Sequence, residues 1–164
     1  MAIADVGYIS KQELIDAKQD ISDERYAKGP VAVVECVQEI PCNPCEGACK
    51  FGAIKIETPI TNLPKINESA CTGCGVCVAQ CPGLAIFIVN KAYSDTEATV
   101  AFPYEYIPTP KEGEEWEGVN RKGEVLCKAK IVKVMNPKAF DRTPVVTVAI
   151  PKEFADEVRS VKRK

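Results

Sequence analysis

Cysteine is the feature that most constrains what this chain can fold into. There are nine cysteines in 164 residues, and eight of them fall between Cys36 and Cys81. The odd total and the close C-x-x-C spacings argue against a disulfide framework. The chain contains no histidine, which excludes Cys/His zinc fingers, histidine-ligated iron–sulfur centres and histidine-based acid–base catalysis. Any metal bound in this region is therefore expected to be held by sulfur.

The second half of this region follows a complete ligand spacing. Four cysteines and a closing proline fit the run C-x2-C-x2-C-x3-C-P of bacterial four-iron clusters at every position: Cys71, Cys74, Cys77, Cys81 and Pro82. A tight loop can present three thiolates to one cube, and Gly73 and Gly75 would let backbone N–H groups approach its sulfides. A four-thiolate zinc ribbon fits less well, because it would separate two C-x2-C pairs by a longer spacer.

The first half is irregular. The last three positions of the same run are filled by Cys42, Cys45 and Cys49. Glu39 occupies the first position, and Lys50 replaces the proline. We interpret Cys36, three residues before Glu39, as the missing thiolate, with an insertion within residues 37–41. The alternative is that Cys36 is a buried strand cysteine. This site would then hold a [3Fe–4S] cluster, or a four-iron cluster with a non-cysteine ligand such as Glu39.

Hydrophobic patterning predicts the elements around the cysteine loops. Ser10 and Glu13 form a capping box at the start of a helix predicted over residues 10–28. Strands are predicted at residues 31–36, 53–57, 65–67 and 84–89. Each cysteine loop therefore lies between two strands, and the unit repeats with an offset of 32 residues, from Cys49 to Cys81.

After residue 91 the pattern becomes that of a small antiparallel β region. Strands are predicted at residues 98–107, 124–135 and 145–150, separated by turn signals, and a last short helix is predicted at residues 153–161. Three regions follow from this division. They are an N-terminal helical extension over residues 1–29, a cysteine-rich domain over residues 30–91 and a β-rich extension over residues 92–164.

Residues 30–91 resemble the bacterial ferredoxin domain that holds two [4Fe–4S] clusters. The resemblance rests on the complete run at residues 71–81 and the partial one at residues 36–49. It implies an α+β protein with a ferredoxin-like βαββαβ domain, and crossed ligation in which the last cysteine of each loop binds the other cluster. One cluster would then be held by Cys71, Cys74, Cys77 and Cys49. The other would be held by Cys36, Cys42, Cys45 and Cys81.

The whole chain also resembles the small ferredoxin-like subunits that accompany flavin-dependent dehydrogenases of amino acids and related amines in anaerobic bacteria. The signs are Cys-Asn-Pro-Cys-Glu-Gly-Ala-Cys at residues 42–49 and Asp-Arg-Thr-Pro-Val-Val at residues 141–146. This resemblance implies an electron-transfer subunit of a hetero-oligomeric oxidoreductase, which relays single electrons between the flavin of a dehydrogenase subunit and another acceptor. The alternative is a free soluble ferredoxin that serves several oxidoreductases.

Composition and the remaining motifs narrow the function classes. A net charge of −2 gives no indication of nucleic-acid binding. No run approaches the ~20 apolar residues of a membrane span, and the N-terminus lacks the pattern of a secretory signal. We find neither a G-x-G-x-x-G fingerprint nor a P-loop, so we expect no substrate catalysis by this chain. Nine cysteines without an export signal favour the cytoplasm, and an anaerobic host is consistent with that.

Overall fold

The computed structural model describes residues 2–164. Three short helices come first: α1 (Ala2–Val6), α2 (Lys11–Asp16) and α3 (Asp23–Tyr26). The cysteine-rich region follows as β1 (Val31–Val34), α4 (Pro44–Ala48), β2 (Ile54–Lys55), β3 (Lys65–Ile66), α5 (Val76–Gln80) and β4 (Ile86–Asn90). The order of these elements is the βαββαβ order expected for residues 30–91. Among the described residues, no helix is long and apolar enough to cross a bilayer.

The rest of the chain is mostly strand. Its elements are β5 (Glu97–Pro103), β6 (Glu115–Val119), β7 (Val125–Met135), a 3-10 turn (Lys138–Phe140), β8 (Val145–Pro151), a second 3-10 turn (Lys152–Phe154) and β9 (Ser160–Val161). The predicted strands correspond to β5, β7 and β8, whereas the patterning did not reveal β6. Because Pro103 ends β5, the strand predicted over residues 98–107 is shorter than expected.

The last helix, predicted over residues 153–161, is wrong. Only the 3-10 turn Lys152–Phe154 is helical there. A turn over residues 155–157 follows it, and residues 159–162 then pair with β6. Arg159 N donates to Val119 O at 2.9 Å, and Lys162 N donates to Glu117 O at 2.8 Å. Pairing with a strand about 40 residues away supplies these hydrogen bonds, so tertiary context overrides local helix preference.

The helix predicted over residues 10–28 is also wrong, because the structure divides it into α2 and α3. Its start is confirmed: Glu13 N donates to Ser10 Oγ at 3.2 Å, and Ser10 N donates to the Glu13 carboxylate at 3.0 Å. Helix α2 ends at Asp16. Two residues later, Lys18 adopts a left-handed φ of 56°, a conformation that commonly terminates helices. The break turns Gln19 inward, where only 3% of it is exposed.

One antiparallel sheet runs through most of the described chain in the order β1-β4-β5-β8-β7-β6-β9. Val31 lies opposite Val89 where β1 pairs with β4, and Ile88 lies opposite Ala101 where β4 pairs with β5. The short strands β2 and β3 form a separate pair. The strands after residue 91 therefore extend the sheet of the cysteine-rich region, while the domain boundaries at residues 29 and 91 stay a prediction.

The two faces of this sheet are covered by different parts of the chain. Successive side chains of a strand point to opposite faces, so Val33 joins one hydrophobic cluster and Val34 joins the other. The N-terminal helices and the C-terminal segment cover the first face, through residues such as Tyr26 and Val158. The second face carries the cysteine loops, with Cys45 and Cys77 in its core. Burial of each aliphatic side chain on these faces contributes about 1.5–3 kcal/mol.

Candidate iron–sulfur centre

The two cysteine loops are related by the predicted repeat. Helices α4 and α5 are both five residues long and begin 32 residues apart, at residues 44 and 76. Each loop ends on a cysteine whose sulfur accepts a backbone N–H from four residues later. Ala53 N donates to Cys49 Sγ at 3.2 Å, and Ala85 N donates to Cys81 Sγ at 3.4 Å. The two halves therefore present their last cysteine in the same way.

One set of thiols combines the first loop with the end of the second. A single cavity is lined by Cys36, Cys42, Cys45 and Cys81. Apolar side chains, including Val34 and Ile86, complete its wall. The structure thus brings Cys36 together with the other three cysteines, because β1 ends two residues before it. Glu39, the alternative ligand, is exposed and is not part of this lining.

The other set combines the second loop with the end of the first. Cys77 is buried in α5 and lies close enough to Cys71, Cys74 and Cys49 for their charges to raise its pKa. The sulfur of Cys71 also accepts a hydrogen bond from Ala32 N at 3.4 Å. Cys74 is exposed. Each set therefore holds three thiols from one loop and the last thiol of the other.

Burial and mutual repulsion make several of these thiols weak acids. Burial first, and then the charge of Cys81, raises the pKa of Cys45 to about 11. Burial first, and then the charge of Cys71, raises the pKa of Cys77 to about 12. Burial also acts on Cys49, but backbone N–H groups of residues 51–54 outweigh it and lower the pKa of that thiol. Clustered thiolates of this kind need cations among them, so the donor sets fit a metal cluster.

A close approach between main chains shapes the second loop. Gly73 has a φ of +68°, and a Cβ at this position would lie 2.6 Å from both Cβ and O of Pro30. Gly75 has a φ of +82° and immediately precedes α5. Both positions favour glycine because of their left-handed backbone. The sequence predicted that Gly73 lets the backbone approach the cluster sulfides. In the structure, Gly73 closely approaches Pro30, a contact that was not predicted.

Two buried side chains that the sequence analysis missed hold the first cysteine of each loop. Gln19 Nε2 donates to Cys36 O at 3.3 Å. Arg25 Nη2 donates to Cys71 O at 2.8 Å. The partners lie 17 and 46 positions apart, so no local pattern could have revealed the contacts.

The thiols are not arranged around one ion. Within residues 2–164, no group of three or more Cys, Asp or Glu side chains is placed to hold a single metal ion. The thiolates of a cubane each bind a different iron and need not converge on one point. Both thiol sets are therefore compatible with cluster ligation, and the individual ligand assignments stay a prediction.

Comparison with known proteins identifies the same region. The family described as "4Fe-4S binding domain" matches residues 64–87, which include the whole second loop. The chain is also similar to the ferredoxin-type protein NapF of Escherichia coli, with 35% identity over 51 residues, 30% of this chain and 31% of that protein. The chain therefore contains a ferredoxin-type 4Fe–4S domain.

Longer alignments come from two eukaryotic proteins. Protein Pixie of Drosophila melanogaster is 29% identical over 121 residues, which is 64% of this chain. Translation initiation factor RLI1 of Saccharomyces cerevisiae is 32% identical over 105 residues, which is 57% of this chain. The alignments span only 20% and 17% of the length of those proteins. No solved structure matches this chain significantly.

Proposed function

We propose that this chain is the iron–sulfur subunit of an oxidoreductase complex. It would hold two [4Fe–4S] clusters and pass single electrons between a flavin in a partner dehydrogenase subunit and another acceptor. When bound, such clusters supply reversible one-electron storage. The chain's own residues would hold the clusters, tune their potentials and exclude water, without acting on an organic substrate.

One observation carries the proposal: eight thiols form two sets of four, and each set draws on both loops. Cys81 joins the set of the first loop, and Cys49 joins that of the second. Because each loop contributes to both sets, two clusters held in this way would be close neighbours. A pair of neighbouring one-electron centres is suited to a relay.

The surface beside the second loop supports exchange with another protein. Exposed Cys74 lies in an open groove that Tyr93 and Met135 also line, and 47% of Tyr93 is exposed. Aromatic and methionine side chains are enriched at protein interfaces. A free two-cluster carrier would need little more than residues 30–91, so the flanking segments also favour a subunit over a free ferredoxin.

The name of the yeast relative does not extend to this chain. That protein is called a translation initiation factor, but the aligned part is 17% of its length. A net charge of −2 gives no indication of nucleic-acid binding.

The decisive experiment is a count of iron and acid-labile sulfide after purification without oxygen. We expect about eight of each per chain, which corresponds to two cubanes. About seven iron atoms would mean a three-iron cluster at the first loop, with Cys36 as a core residue. About four, with no gain on reconstitution, would remove the second centre and with it the relay.

The partner is tested separately, by gel filtration of the protein from its natural source. We expect co-elution with a larger flavin-containing protein. Elution at the size of one chain, with full cluster content, would favour the free ferredoxin instead.

A further inference from the structure

Gln19 and Arg25 make equivalent contacts in the two halves of the repeat. Arg25 Nη2 joins Cys71 O, at 2.8 Å, to Pro30 O, at 2.7 Å, and Pro30 directly precedes β1. Gln19 Nε2 joins Cys36 O, at 3.3 Å, to Pro64 O, at 3.0 Å, and Pro64 directly precedes β3. Both halves thus present the first cysteine carbonyl together with the carbonyl before a strand. A guanidinium holds one pair, and a neutral amide holds the other.

The charge of Arg25 is buried and has no carboxylate partner among the described residues. Its remaining donors also reach main-chain carbonyls, with Nε to Glu68 O at 2.8 Å and Nη1 to Gly29 O at 3.1 Å. The Glu68 carboxylate instead accepts hydrogen bonds from Ser22 N at 3.1 Å and Ser22 Oγ at 2.7 Å. Only 8% of Arg25 is exposed, so solvent screens its charge poorly.

Two other arginines with largely buried side chains are paired with carboxylates. Arg159 pairs with Glu35, and Arg121 pairs with both Glu35 and Glu157. Two arginines and two glutamates make this network formally neutral. It lies on the face of β1 opposite the cavity of Cys36, because adjacent strand residues point to opposite sides. These contacts therefore place no unpaired positive charge beside the thiols of the Cys36 set that would correspond to Arg25 beside Cys71.

We propose that Arg25 selectively raises the reduction potential of the cluster held at Cys71, and that the neutral Gln19 leaves the cluster at Cys36 without this effect. Reduction adds one negative charge to a cluster, and a nearby buried cation stabilises that charge. The two clusters of the relay therefore differ in reduction potential because of Arg25. The cluster at Cys71 is reduced more readily than it would be without this residue. This inference rests on the proposed function, since it requires both clusters.

The test is a dithionite titration of the full chain, followed by EPR, for the wild type and three variants. Arg25→Gln copies the neutral amide of the other half, and Arg25→Lys keeps the charge. Arg163→Gln removes an exposed charge as a matched control. A Cys71→Ser variant identifies the EPR signal of the cluster in question, because an oxygen ligand alters it.

We expect Arg25→Gln to lower one midpoint, that of the Cys71 cluster, by at least a tenfold change in the reduction equilibrium, or about 59 mV for one electron. Arg25→Lys should retain most of the wild-type value, and Arg163→Gln should change neither midpoint. Unchanged midpoints in Arg25→Gln would overturn the inference. So would an equal shift in Arg25→Lys, because the cause would then be the lost carbonyl contacts and not the charge.

A second variant decides the matter if Arg25→Gln does not retain both clusters. Gln19→Lys places a cation at the equivalent position, and it should raise the midpoint of the other cluster by a similar factor. An unchanged midpoint in that variant would overturn the inference. The iron count distinguishes these failures from failure of the proposed function, because a wild-type protein with fewer than two clusters refutes the relay itself.

Discussion

Glu35 and Arg159 are buried partners that lie 124 positions apart in the sequence. Arg159 Nε donates to Glu35 Oε1 at 2.6 Å, and Arg121 Nε donates to Glu35 Oε2 at 2.8 Å. Because Glu35 directly precedes Cys36, these contacts attach the end of β1 to the C-terminal segment. Burial would raise the pKa of Glu35, but the hydrogen bond from Arg121 and the charge of Arg159 lower it below its ordinary value.

Replacement of Glu35 by glutamine should destabilise the protein strongly. It leaves Arg159 buried without its counter-charge, and breaking a buried pair in this way costs about 3–5 kcal/mol. Denaturant unfolding without oxygen measures the loss. The control is Glu57→Gln, which breaks an exposed pair with Lys65 and should cost at most about 1 kcal/mol.

The same variant has a pH signature. A carboxylate with a lowered pKa contributes stability above its unfolded-state pKa, and the contribution is lost as the pH falls towards the folded value. The difference between wild type and Glu35→Gln should therefore be largest near neutral pH and narrow in acid. A difference that widened in acid would contradict the charged state of Glu35.

Replacement of Cys36 by alanine should remove one iron and spare the other cluster. We expect about seven iron atoms per chain, against about eight in the wild type, with the EPR signal of an oxidised three-iron cluster. The matched control is Cys127→Ala, because Cys127 packs against the hydrophobic cluster on the other side of the sheet. If both variants kept the wild-type iron content, Cys36 would not be a ligand.

Replacement of Gly73 by alanine should cost more than the same change at Gly113. Both residues have a positive φ, for which alanine costs about 1–2 kcal/mol. Only at Gly73 would the new Cβ overlap another residue, Pro30, and this adds about 1–3 kcal/mol. Unfolding midpoints of the two variants measure the difference. Equal losses would show that the approach to Pro30 can relax without cost.

Cluster assembly should release protons and improve as the pH rises. Iron binds thiolates, whereas the raised pKa of about 11 for Cys45 and about 12 for Cys77 keeps both thiols protonated at neutral pH. Each must lose its proton when iron binds, which links loading to pH. Reconstitution at limiting iron, between about pH 6.5 and about pH 8.5, measures this. A loading that did not depend on pH would mean that the thiols are already ionised.

Local spacing was sufficient to predict the cysteine loops, their repeat and the strands that flank them. It was insufficient for residues 10–28 and 153–161. Each segment begins with a helical turn near the predicted position, but contacts with distant residues end the helix early. Gln19 leaves the helix because its amide meets carbonyls of the cysteine region. Arg159 becomes extended because its backbone pairs with β6 and its side chain meets Glu35.

The sequence by itself determined which residues carry the chemistry, because cluster ligation requires cysteines at short, fixed separations. Tertiary structure decided how Cys36 meets Cys81, where the buried charge of Arg25 lies, and that one sheet joins the cysteine region to the rest of the chain. Those features depend on contacts between residues that are far apart along the chain. Such residues come together only through packing around a shared core, and local sequence patterns do not predict these contacts.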